Sequence, residues 1–192
     1  IVELLPDSQI VRQDTQMAAH TGTYHFTLGA PKPFRKDNAP LIVSQYRLGD
    51  TIDFSSRGNG SLYSANGWSH PEDWGCWSLN QEAHIVMQID EALQEPKILE
   101  LELGALVHPK QPCQRLSLSA NGQIVSNQKL CLEDNVGQPQ LYRYNLPSGP
   151  YLKKGGKLDI RIHTPDAISP TRLGLNDDKR VLGVGLKTLR VF

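Results

Sequence analysis

Residues 115–126 read RLSLSANGQIVS. Leu116 and Leu118 fall on one side of an extended chain and Arg115, Ser117 and Ser119 on the other, because successive strand side chains point to opposite faces. Asn121-Gly122 then supplies the residue pair that best tolerates the positive φ angles of a two-residue turn. Alternation, a turn and a second extended run predict a β-hairpin. The same period of two recurs at 98–103, where Leu99, Leu101 and Leu103 oppose Glu100 and Glu102. Further strands are expected at 24–28, 41–46, 51–55, 83–89, 140–146, 157–163 and 182–191, with 16 Gly and 13 Pro punctuating the gaps. Residues 81–94 contain helix formers, but Ile85, Met87 and Ile89 alternate with His84, Val86 and Gln88, which predicts a strand ending near Glu91. Many short strands without regular helical crossovers predict an all-β fold. Its expected form is a two-sheet antiparallel β-sandwich, a jelly roll.

The first 40 residues differ. Pro6, Pro31, Pro33 and Pro40, with the charged run Arg35-Lys36-Asp37, predict an N-terminal connector over 1–40, able to add an edge strand at 24–28. The sandwich is expected over 41–192. The start at Ile1, without methionine or leader, suggests a mature or excised piece of something longer.

Charge narrows the function. Lys plus Arg and Asp plus Glu each number 20, so the formal charge is zero. That argues against a general nucleic-acid binder and against attachment to anionic membranes. No apolar run approaches the ~20 residues of a membrane span, so no direct insertion is expected. The three cysteines match no zinc spacing. Cys113 and Cys131 flank the predicted hairpin and can be bridged in an oxidising compartment. Cys76 reads either as a nucleophile or as a small apolar residue packed under tryptophans, the second being the commoner use of such a residue.

All three tryptophans, Trp68, Trp74 and Trp77, lie in residues 67–78, GWSHPEDWGCWS. The Gly/Pro content predicts a folded loop, the kind of segment in which binding residues concentrate. Sugar rings offer apolar C–H faces rimmed by hydroxyls, so exposed indoles beside carboxylates and amides suit them. Here Glu72, Asp73 and Asn66 are the acceptors. The bland alternative makes Trp74 and Trp77 buried plugs and leaves Trp68 the most exposed ring. A second constellation, SPTRLGLNDDKRVLGVGL at 169–186, offers Arg172, Asp177 and Arg180, with Arg180 or Arg172 able to neutralise Glu72 or Asp177 across the sandwich end. There is no G-x-S-x-G elbow, Walker loop or H-E-x-x-H helix, and the adjacent Glu72 and Asp73 would point apart on an extended chain. No catalytic residue and no catalytic metal site is therefore expected. Asp50, Asp53, Asp177 and Asp178 are candidates for a structural calcium, although no D-x-D-x-D-G loop is present.

Two spaced motifs carry a resemblance. The first comprises Gly67, Ser69, Glu72, Trp74, Gly75, Trp77 and Ser78. The second comprises Ser169, Pro170, Leu173, Gly174, Asp177 or Asp178, Arg180, Leu182, Gly183, Gly185 and Leu186. Over roughly 48–192 the pattern resembles the C-terminal β domain of bacterial phosphoglycerol transferases and related membrane-bound glycan-assembly proteins. The resemblance implies a non-catalytic accessory domain with a periplasmic or extracytoplasmic location, the chemistry belonging to a separate domain of the parent protein. The expected function is carbohydrate binding for a cell-envelope glycan-modifying protein. Trp68, Trp74 and Trp77 would stack on an oligosaccharide or glucan; Glu72, Arg172, Asp177 and Arg180 would hydrogen-bond to it. The competing readings are a structural domain packed against a catalytic or membrane partner and, less favoured, a glycan-active enzyme.

Overall fold

The computed structural model describes residues 43–192 except 93–96, 135, 150 and 152. The connector and the strand expected at 24–28 lie outside the described residues. Eleven strands appear among those described: β1 (Gln45–Tyr46), β2 (Ile52–Asp53), β3 (Ser64–Asn66), β4 (Cys76–Leu79), β5 (Glu82–Ile89), β6 (Ile98–Ala105), β7 (Cys113–Ala120), β8 (Gln123–Cys131), β9 (Gln140–Asn145), β10 (Lys157–His163) and β11 (Leu182–Val191). They form two sheets, one ordered β1-β5-β10-β7-β8 with β3 also on β5, the other β2-β11-β6-β9 with β4 also on β11. The chain crosses repeatedly between the sheets, and the all-β sandwich expected from the alternation is the fold. Pairing is antiparallel except for β1, which runs parallel to β5.

The inward positions are those marked by period two. Ile85, Met87 and Ile89 of β5, Leu116 and Leu118 of β7, and Leu158, Ile160 and Ile162 of β10 meet Leu99, Leu101 and Leu103 of β6 and Val184, Leu186, Leu189 and Val191 of β11 in one core. Burying each such side chain stabilises the fold by about 1.5–3 kcal/mol before entropy is counted. Asn121 and Gly122 both have positive φ, 48° and 82°, as the β7–β8 turn requires. Cys113 and Cys131, opposite each other in that hairpin, are joined by a disulfide. Among the described residues the helical elements are α1 (Pro170–Leu173) and short 3-10 turns such as Gly60–Leu62 and Leu132–Asp134. Ser169 caps α1, its hydroxyl accepting from the Arg172 N–H, and Gly174 ends it in the left-handed region. No helix among the described residues is long and apolar enough to cross a membrane.

Candidate functional site

The tryptophan stretch is more regular than a loop. The Ser69 N–H donates to the Trp77 carbonyl at 2.9 Å, the Leu79 N–H to Gly67 at 2.7 Å and the Glu72 N–H to Gly75 at 2.7 Å. These bonds close a hairpin whose tip is Glu72-Asp73-Trp74-Gly75 and whose return limb runs into β4. The expectation of an irregular loop is corrected here: Pro71 and the glycines shape the tip and the entry, while Cys76-Trp77-Ser78 has the alternation of a strand. Gly67, at φ +76°, starts the hairpin where a Cβ would collide with the Glu82 carbonyl. The hairpin leaves β3 in the first sheet and delivers β4 to the second. Its tip is tied down by Ser56, whose N–H donates to the Glu72 carbonyl at 2.8 Å and whose hydroxyl meets Asp73 Oδ1 at 2.7 Å.

Alternation along β4 sorts the side chains. Cys76 points inward and is 2 % exposed; Trp77 points the other way and is half-buried. Trp74 folds back from the tip against Trp77, edge to face, with ring centroids 5.2 Å apart and planes at 71°. Beneath them lies Gly185 of β11, where a Cβ would overlap the Trp74 ring and come within 3.3 Å of Trp77. That contact explains the glycine in GVG. Gly183 has its own reason, since a Cβ there would meet the Ser78 and Thr164 hydroxyls. Neither Trp74 nor Trp77 belongs to the hydrophobic core.

Polar contacts fix the Trp74 ring in turn. Its indole N–H donates to Glu72 Oε2 at 2.9 Å. Glu72 Oε1 accepts from Arg180 Nη2 at 3.2 Å, and Arg180 also grips Asp178 through Nε at 2.9 Å and Nη2 at 2.7 Å. The Arg180 side-chain hydrogen bonds, foremost, hold the Asp178 carboxyl below the usual carboxylate range. The sequence expectation that Arg180 would reach Glu72 across the sandwich end holds. Glu72 and Arg180 are each more than a third exposed, so their pair contributes only about 0–1 kcal/mol to stability. Their effect is to orient the ring.

Three expectations need correcting. Trp68 is packed on the core: its ring centroid lies 5.5 Å from that of buried Phe54, and its N–H is spent on the His84 carbonyl at 2.8 Å, so the ring is engaged rather than free. It lines, with Phe54, Asn66 and Ser69, a pocket of about 280 Å³. Trp77 is no buried plug, because its strand position faces away from the core. Asp178, rather than Asp177, makes the contacts to Arg180, and Arg172 lines a different cavity altogether. Asp177 is exposed and makes no side-chain hydrogen bond or ion pair among the described residues. Ser56 and the glycine floor are the site residues that sequence reasoning missed; the G-x-G spacing was visible, but nothing in it says which ring it carries.

Cys76 is a free, buried thiol that donates to the Ser69 carbonyl at 3.1 Å. Burial, outweighing the Ser69 contacts, pushes its pKa up, the reverse of an activated nucleophile. The calcium candidates do not assemble. Asp178 is occupied by Arg180, and Asp53 Oδ1 accepts the Ser55 N–H. Among the described residues one group of potential ligands converges, Cys131, Glu133 and Asp134, and its sulfur is held in the disulfide.

Residues 43–192 match the model of the family described as "Domain of unknown function (DUF7024)", and the chain belongs to that family. No curated protein matches it. Three solved structures resemble it at a distance. A carbohydrate-binding module CBM36 in complex with calcium and xylotriose is 10% identical, with a TM-score of 0.41 over 74% of this chain and 99% of that one. The CBM36-1 domain of a multidomain xylanase from the hindgut metagenome of Trinervitermes trinervoides is 12% identical, with a TM-score of 0.41 over 74% and 95%. The C-terminal CBM6 of LamC, a marine laminarinase from Zobellia galactanivorans, is 12% identical, with a TM-score of 0.39 over 73% and 96%. These scores are too low to transfer any property of those proteins to this chain. No match ties it to phosphoglycerol transferases.

Proposed function

We propose that this DUF7024 domain is a non-catalytic carbohydrate-binding accessory domain whose site is the Trp74–Trp77 pair with Glu72, Asp178 and Arg180. One observation carries the reading: two partly exposed indoles stand outside the core, seated on Gly185, with Trp74 locked by a hydrogen bond to Glu72. A ring held in one pose spares a ligand the cost of ordering it, about 0.5–1.5 kcal/mol per side chain. The neighbouring carboxylates and guanidinium then offer acceptors and donors to sugar hydroxyls. Affinity is expected to be weak, a Kd near ~1 mM corresponding to about −4 kcal/mol.

The same cluster speaks against glycoside chemistry. Glu72 and Asp178 share one guanidinium, and Asp178 is held ionised, whereas a general acid needs a carboxyl kept protonated. The Cys113–Cys131 disulfide supports an oxidising, extracytoplasmic setting. The finer reading is a domain of a cell-envelope glycan-modifying protein, phosphoglycerol-transferase-like, partnered by a catalytic domain of its parent. Its support is the motif resemblance alone. Titration calorimetry of the folded domain against β-glucan, xylan and other neutral oligosaccharides tests the proposal. Binding lost in Trp74→Ala and Trp77→Ala supports it. Absence of heat with every glycan hands the case to a structural role.

A further inference from the structure

The second site is at the other sheet. Arg115 of β7 and Lys129 of β8 are directly opposite each other in the hairpin register, both on the outward side. Like charges in that relation destabilise a sheet. A third cation, Arg172 of α1, joins them around one cavity of about 430 Å³, whose wall also includes Gln111, Cys113 and Asp166. Asp166 is the one acid there. It is taken by Arg115, through Nε at 2.8 Å and through Nη2, and the backbone N–H of Arg115 adds a bond at 2.9 Å. Those bonds hold the Asp166 carboxyl below its usual range, with a smaller contribution from the charge of Lys129.

The arithmetic is uneven: three cations and one carboxylate leave two positive charges in one concave site of a chain whose formal charge is zero. Lys129 and Arg172 make no side-chain hydrogen bond or ion pair among the described residues. Arg115 is immobilised by Asp166 and the Gln111 amide is anchored on the Asp166 carbonyl at 2.7 Å, so part of the wall is already rigid. A partly rigid concave wall that also carries two unpaired cations, one of them a planar guanidinium, matches an oxyanion.

We infer that the cavity bounded by Arg115, Lys129 and Arg172 is a binding site for a ligand oxyanion, the carboxylate of an acidic sugar or the phosphate of a phosphorylated one. It shares no residue with the tryptophan platform and stands whether or not that platform binds glycans. The two sites face different chemistry: apolar ring faces at Trp74 and Trp77, a single anionic group here. Arg172, which the sequence placed beside the tryptophans, belongs to this second site.

The test is amide-resolved NMR titration of the folded domain with glucuronate, glucose 1-phosphate and inorganic phosphate, with glucose as the neutral control. Shifts of the Arg115, Lys129 and Arg172 amides that saturate with an anion, absent with glucose and weakened by salt, are the expected result. Glucuronate alone, or the phosphates alone, would tell which oxyanion the site takes. Lys129→Gln and Arg172→Gln, both at exposed positions, are expected to weaken binding about tenfold each. Lys129→Gln also separates this role from a structural one. By removing the opposed charge it is expected to leave the unliganded melting temperature equal or higher, while abolishing the stabilisation that the anion confers. Equal shifts with glucose, no saturation with any anion, or unchanged affinity in both variants would overturn the inference.

Discussion

Gly185→Ala tests the architecture of the tryptophan platform more sharply than removal of either ring. The new methyl would occupy the space of the Trp74 ring and press on Trp77 at 3.3 Å. β11 is fixed on both sides, by β4 and by β6, so the backbone has little freedom to yield. Trp74 lies outside the core and is therefore the group that moves. Its displacement forfeits the edge-to-face contact, about 0.5–1.5 kcal/mol, and the hydrogen bond to Glu72, about 1 kcal/mol at this exposure. A loss of about 1.5–2.5 kcal/mol is expected from these two terms. Urea unfolding should show a lower midpoint with an unchanged slope, since the same surface is exposed on unfolding. Tryptophan emission of the native protein should shift as Trp74 gains water, and glycan binding should fall with it. A variant with the parent's midpoint, emission and binding would show that Trp74 does not rest on Gly185.

Trp68→Ala is expected to destabilise the fold by about 3–5 kcal/mol, more than Trp74→Ala, because it packs on Phe54 and the core; equal melting temperatures for the two variants would contradict that difference in packing. The single free thiol, Cys76, is expected to resist alkylation in the native protein at neutral pH and to react stoichiometrically once unfolded, since it is buried and its pKa is raised. Rapid native labelling would refute that. The depressed pKa of Asp178 means that its pairing with Arg180 stabilises the folded loop above the ordinary carboxylate pKa and is lost as pH falls through the folded value. The stability difference between wild type and Asp178→Asn should accordingly be complete above pH about 4 and shrink below it; a difference that grows on acidification would reverse the sign.

The long strands were legible because their alternation is what a half-buried sheet demands. Leu99, Leu101 and Leu103 could only face one way, and Asn121-Gly122 announces its turn by backbone chemistry alone. The two-residue strands β1 and β2 were not legible to their ends, since a pattern of period two needs more residues than they have. The parallel pairing of β1 is likewise set by tertiary position. At the candidate site, composition drew attention to residues 67–78 and to Arg180 as a partner of Glu72, because charge pairs and indoles are visible in one dimension. The facing of each ring was not. Trp68 stands opposite buried Ser78 in the hairpin register and shares its inward face, whereas Trp77 is one residue off that position and points the other way. Arg172 was misplaced for a related reason: α1 carries it away from the 178–180 turn, and only the crossing of β7, β8 and the 166–172 segment shows what it faces.

The central claim is that the fixed Trp74–Trp77 pair binds sugar. Titration calorimetry of wild type and Trp74→Ala, both shown folded by their urea transitions, against a panel of neutral oligosaccharides tests it most directly. The expected result is millimolar binding of at least one glycan by wild type, lost in Trp74→Ala while the core remains intact. Binding of equal strength in both proteins, or none in wild type, would contradict it.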